Sequence, residues 1–186
     1  MYIAKGKFAT SSEICMTLDK LMKKLSGGDE SAFEQIYAQT RKTVYYIALS
    51  VVKERALAED VMQNVYLSVL KNASQYRAGT NALAWIARIT RNEALKLQKS
   101  RVRVSYVDER QNPEVFGTRQ TDDYQLLIDL AKRLLPEDEF VILMLITAAG
   151  YKRREIAEML DMPVPTVTWK FNKAIDKMRK SLEENV

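Results

Sequence analysis

The sequence predicts an all-α protein of two small helical domains joined by a flexible linker, on three observations. Apolar residues recur at helical spacing along most of the 186 residues, and no run alternates as a half-buried strand would. Breakers are concentrated at a few points: Gly27-Gly28, then Asn112-Pro113 with Gly117, then Gly150. The stretch 106–122 has no periodicity and carries two bases against four acids, which marks it as the connection between two helical groups.

The elements follow in order. Residues 1–16 lack clear periodicity and are expected to be a disordered tail, or a stretch ahead of a true start at Met16. Asp29 is placed to cap a long core helix with Ala32, Phe33, Ile36, Tyr37, Thr40, Val44, Ile47, Ala48 and Val51 on one stripe. A second helix is predicted over 56–73, with Leu57, Val61, Val65, Val69 and Leu70 inward. A third is predicted over 81–100. Its Ala82, Leu83, Ile86, Ile89 and Leu97 face the core, with Arg88, Arg91, Asn92, Lys96 and Lys99 opposite.

After the linker come helices near 124–135 and 136–149. Pro136 suits a first turn, Glu137, Asp138 and Glu139 suit the positive end of the helix dipole, and Gly150 is a stop. The last third reads as a helix-turn-helix. Ile156, Ala157 and Leu160 line a short first helix; Val167, Phe171, Ala174, Ile175, Met178 and Leu182 line a longer second one. The opposite face of that second helix carries Thr168, Lys170, Asn172, Lys173 and Lys177, groups that reach phosphates and base edges from an element that fits the major groove.

Charge supports a nucleic-acid partner through its placement. The net value is +5, yet 72–105 holds seven bases and one acid, and 151–180 holds eight bases and four acids. With no histidine and the single Cys15, one chain cannot build a Cys/His zinc cluster, a Ser-His-Asp triad or a disulfide framework. We therefore expect no enzyme, no metal and no cofactor, and assign Cys15 no role. No apolar run approaches the roughly 18 residues of a membrane span, and the first residues lack a signal-peptide core. A reduced, soluble, cytoplasmic protein is expected, without membrane insertion.

The sequence resembles the extracytoplasmic-function class of the sigma-70 family of bacterial RNA polymerase sigma factors, on motifs in family order. Gly28-Asp29-Glu30-Ser31-Ala32-Phe33-Glu34-Gln35-Ile36-Tyr37 resembles the family's opening helix, and Ala58-Glu59-Asp60-Val61-Met62-Gln63-Asn64-Val65-Tyr66-Leu67 its polymerase-clamp helix. Trp85 through Leu95 resembles the helix after the promoter-opening loop, and Leu135 through Phe171 the fourth-region module.

The resemblance implies a tail at 1–16, sigma region 2 at 17–105, a linker at 106–122 and the region 4 helix-turn-helix at 123–186. It implies a dissociable subunit that binds core RNA polymerase and directs it to promoter DNA, monomeric when free, with an anti-sigma factor as a candidate partner. Carried over by motif, Asp60, Gln63, Asn64 and Leu67 would bind core polymerase. Gly79, Thr80, Asn81, Arg88, Arg91, Asn92 and Lys96 would bind the −10 element, the loop taking a flipped base. Arg153, Arg154, Thr166, Thr168, Trp169, Lys170, Asn172, Lys173 and Lys177 would bind the −35 element. Lys170 or Asn172 suit base edges, whereas Thr166, Lys173, Lys177, Arg153 and Arg154 suit phosphates.

Some positions depart from the family pattern. Ala82 stands where an aromatic residue is common, Lys152 where serine often caps, and Pro165 at a helix start, while Trp169, Asn172 and Ile175 are unusual on the recognition helix. Trp169 lies on the outer side, where it either touches a thymine methyl or packs on a neighbouring helix, the second being favoured. Trp85 is read as core with its edge near the loop. The alternatives are a polymerase-independent helix-turn-helix regulator, which would usually dimerise, and a structural helical adaptor, which would leave both basic faces unused.

Overall fold

The computed structural model describes residues 11–104 and 122–184, with side chains over 18–101 and 124–184. Among the described residues the regular structure is helical: α1 (Ser11–Ser26), α2 (Ser31–Val52), α3 (Arg55–Asn72), a 3-10 turn (Ala73–Gln75), α4 (Ala82–Val104), α5 (Asp122–Leu134), α6 (Glu137–Thr147), α7 (Arg153–Leu160) and α8 (Val164–Glu183). The expected linker lies outside the described residues apart from Asp122.

The first difference from expectation is α1, which begins inside the stretch read as a tail. Leu18, Leu21, Met22 and Leu25 are all buried at i, i+3, i+4 and i+7. That stripe nucleates the helix, and extending it backward to Ser11 fixes one residue for each bond gained. Asp29 does cap α2: its Oδ1 accepts the Ser31 N–H at 3.1 Å and the Ser31 hydroxyl at 2.5 Å. Those bonds hold its carboxyl below the usual carboxylate range. Helices α2, α3 and α4 pack mutually, with α1 across α2, α4 and the 3-10 turn. Tyr37 and Leu70, read as inward, are instead about two-fifths exposed at the α2–α3 edge, and Leu182 is likewise open at the end of α8.

Helix α6 decides how the second group sits. Phe140 through Ile146 is an unbroken apolar run, so α6 has no face for water beyond its first turn. Val141 to Leu145 are all buried, as is Phe140, and α6 is packed between α2 on one side and α8 on the other. The two helical groups therefore share one continuous core. Polar links border this contact. Lys42 Nζ donates to the Ala148 carbonyl at 3.2 Å, the Thr43 hydroxyl donates to the Tyr151 hydroxyl at 2.9 Å, and Arg55 meets Asp129 at 3.3 Å. One turn earlier on α2, Thr40 donates to the Ile36 carbonyl and receives the buried Tyr66 hydroxyl at 2.9 Å.

Candidate polymerase and promoter interface

Three surfaces carry the expected site residues. On α3, Asp60, Gln63 and Asn64 are exposed and Leu67 is 65% exposed, so an apolar side chain stands in water at the end of a polar strip. Gln63 and Leu67 also border a groove of about 990 Å³ walled by Tyr37, Tyr45, Tyr66 and Leu70, with Arg41 and Arg55 at its edge.

The second surface is the turn 76–81 and the outer face of α4. Gly79 takes a left-handed φ of 84°, which a side chain would strain. Asn81 caps α4, its Oδ1 accepting the Ala84 N–H at 3.0 Å, and the Thr80 hydroxyl closes on the Arg77 carbonyl at 2.7 Å. Trp85 is half-buried, edge-on to Tyr76 at 5.6 Å between ring centres, which joins the loop to the core. Ala82 is buried at the start of α4. Arg88, Arg91, Asn92 and Lys96 are exposed. Arg91 meets Glu137 of α6 at 2.8 Å and Lys96 meets Glu93 at 2.7 Å, surface pairs worth about 0–1 kcal/mol that a phosphate can displace.

The helix-turn-helix is the third surface. Asp161 takes φ 52° at the end of α7, turning the chain through Met162-Pro163 into α8. Helix α8 starts at Val164, so Pro165 occupies its second position, where a missing N–H still costs no intrahelical bond. At Lys152, Glu155 accepts the backbone N–H at 2.8 Å. The reciprocal half of the capping box cannot form, because lysine has no acceptor. Helix α8 turns Val164, Pro165, Trp169, Asn172 and Lys173 outward. Trp169 is 57% exposed, which reverses the expectation that it packs on a neighbouring helix; the Lys173 ammonium lies 4.6 Å from its ring centre instead.

Lys170 and Lys177 are not free on that face. Lys170 is paired with Asp138, and Lys177 reaches the buried Glu139 at 2.7 Å, with Lys173 3.6 Å from the same carboxylate. The first turn of α6 thus holds α8 in place. Thr166 and Thr168 are half-buried, Arg154 is exposed beside Glu158 at 3.5 Å, and the Arg153 guanidinium stacks 5.0 Å from the Phe171 ring. Burial raises the Asp138 carboxyl, but the hydrogen bond and charge of Lys170 outweigh it and hold the group below the usual carboxylate range. Its contribution to stability is therefore complete above the unfolded aspartate pKa and is lost as pH falls through the lowered folded value. Asp138→Asn should flatten the acid limb of a stability-against-pH curve; an unchanged limb would show that the pair contributes nothing.

Sequence reading missed three acids: Asp138 and Glu139 as partners of α8, and Asp19. The dipole argument placed the first two at a helix start, but their partners lie more than thirty residues on. Asp19 belongs to no motif, yet its Oδ1 accepts the Gly79 N–H at 2.8 Å and the Tyr76 hydroxyl at 2.6 Å.

The exposed polar strip of α3, the basic turn and outer face of α4, and the helix-turn-helix of α7 and α8 lie on one helical bundle. Residues 36–104 match the family described as Sigma-70 region 2. The chain is 33% identical over 79 residues to the ECF RNA polymerase sigma factor SigK of Mycobacterium tuberculosis, a match spanning 42% of each chain. It is 24% identical over 168 residues to the RNA polymerase sigma factor CarQ of Myxococcus xanthus, covering 88% of this chain and 96% of CarQ. In fold it is similar to CnrH, solved in complex with the cytosolic domain of CnrY, at a TM-score of 0.67 and 18% identity over 91% of this chain and 99% of that one. Over residues 36–104 the chain is thus similar to sigma-70 region 2, and over most of its length to proteins named as sigma factors. Among the described residues no helix is long and apolar enough to cross a membrane.

Proposed function

We propose that this chain is an alternative sigma factor, binding core RNA polymerase through α3 and promoter DNA through the 76–81 loop, α4 and α8. Residues 17–105 and 123–186 would be its two working regions. The observation that carries the reading is one chain that leaves the α3 strip, the basic face of α4 and the outer face of α8 all open to solvent. An adaptor has no use for the second and third, and a free-standing regulator none for the first. Run-off transcription with core polymerase on genomic promoter fragments tests it: transcripts that require this protein are expected, and DNA binding that is specific without polymerase would favour the regulator.

On α8 the geometry favours Trp169 and Asn172 as base readers and Lys173 as the phosphate contact, with Lys170 and Lys177 bracing α8 against α6. Asn172 suits adenine, and the exposed indole suits a thymine methyl. Replacing each −35 thymine by uracil removes only that methyl. At one position the wild type should lose about fivefold in affinity, an apolar contact of roughly 1 kcal/mol, while Trp169→Ala should not respond. Equal responses in both proteins would exclude Trp169 as the reader. Lys173→Ala should weaken all promoters alike and lower the salt slope by about one unit.

A further inference from the structure

Helix α1 sends one carboxylate into the turn ahead of α4, across some sixty residues of sequence. Asp19 Oδ1 is the common acceptor for the Gly79 N–H at 2.8 Å and the Tyr76 hydroxyl at 2.6 Å, and that hydroxyl also lies 2.7 Å from the Thr80 carbonyl. The turn has other internal bonds, from Thr80 N–H and hydroxyl to the Arg77 carbonyl and from Ala84 N–H to Asn81. None of these fixes Gly79, the residue with a left-handed φ, to the rest of the molecule. Glycine is the residue freest to leave such a conformation, so an anchor on its N–H sets the shape of the loop. A carboxylate suits the place because it only accepts, and two donors converge on it. Tyr76 is buried against Trp85, so the carboxylate also joins the loop to the hydrophobic core.

We propose that Asp19 is a positioning residue for promoter opening, holding the 76–81 loop in the shape that receives an unstacked base. A carboxylate would repel DNA phosphate, so its action runs through the loop and not through the backbone of the nucleic acid. The inference rests on the reading of this loop as the −10 contact given above.

The test uses the full chain with core polymerase. Asp19→Ala removes both accepted bonds and should slow open-complex formation on duplex promoter by at least about tenfold, the scale of one hydrogen bond to a charged group. Discrimination among the four bases at the captured position of a single-stranded −10 oligonucleotide should fall by a similar factor, while affinity for a −35 duplex stays as in the wild type. Asp19→Asn keeps the acceptor oxygen and should restore most of both losses. Tyr76→Phe, which keeps the ring and removes one donor, should show a smaller loss in the same direction. Should Asp19→Ala fold poorly, the Asp19→Asn and Tyr76→Phe pair decides: wild-type discrimination in Tyr76→Phe together with full loss in Asp19→Asn would overturn the proposal. So would wild-type opening and discrimination in a folded Asp19→Ala. A wild-type protein that opens promoters yet shows no base discrimination in the loop would instead sink the −10 reading itself.

Discussion

Replacing Phe140 with alanine should cost the protein about 3–5 kcal/mol, the usual range for emptying a fully buried phenylalanine site. The side chain is wholly buried on α6, where that helix is packed between α2 and α8, and the Lys53 ammonium lies 5.5 Å from its ring centre. Among the described residues Lys53 Nζ is buried without a hydrogen-bond partner, and burial lowers its pKa. Removing the ring takes away the favourable contact this cation has there, so cavity and electrostatic losses act together. A domain's net stability is only about 5–15 kcal/mol, and Phe140→Ala is expected to be partly unfolded at 37 °C. Each helical group has its own tryptophan, Trp85 on α4 and Trp169 on α8, so single-tryptophan variants report on them separately. Denaturation followed by both probes should show both groups destabilised together. A Trp85 transition left where it was, with only the Trp169 transition displaced, would show that the core is not shared.

Leu67→Glu should weaken binding to core polymerase about a hundredfold and leave the fold untouched, the loss of a central apolar anchor costing on the order of 2–3 kcal/mol. The side chain is 65% exposed, so a glutamate there meets water in the free protein and changes stability by at most about 0.5 kcal/mol. In a complex the same carboxylate would be desolvated without a partner. Asp60→Ala with Gln63→Ala should act in the same direction more mildly, since both are polar rim groups that exchange one set of hydrogen bonds for another. Titration against core polymerase, with thermal melting as the control, reads both. Wild-type affinity in Leu67→Glu would remove α3 from the interface.

Much of this fold is legible in short stretches of the chain. The helices from α2 onward, the turn at Asp161 to Pro163 and the basic faces of α4 and α8 are local properties, set by apolar spacing, breakers and charge along short stretches. Gly150 and Asp29 act where their chemistry placed them. The pairings between distant stretches emerge only once the helices are packed. Val141 to Leu145 read as one apolar run, and periodicity could not say that its two sides would meet two different partners, α2 and α8. Lys170 and Asn172 were equals on a helical wheel. The first turn of α6 then drew Lys170 and Lys177 into ion pairs, while Asn172 and Trp169 stayed open. Asp19 in a helix with no recognised motif became the anchor of a loop sixty residues away. Side-chain period records which face of a helix is wet, whereas the neighbour that meets a given polar group depends on how helices cross, and that is fixed by packing of the whole core.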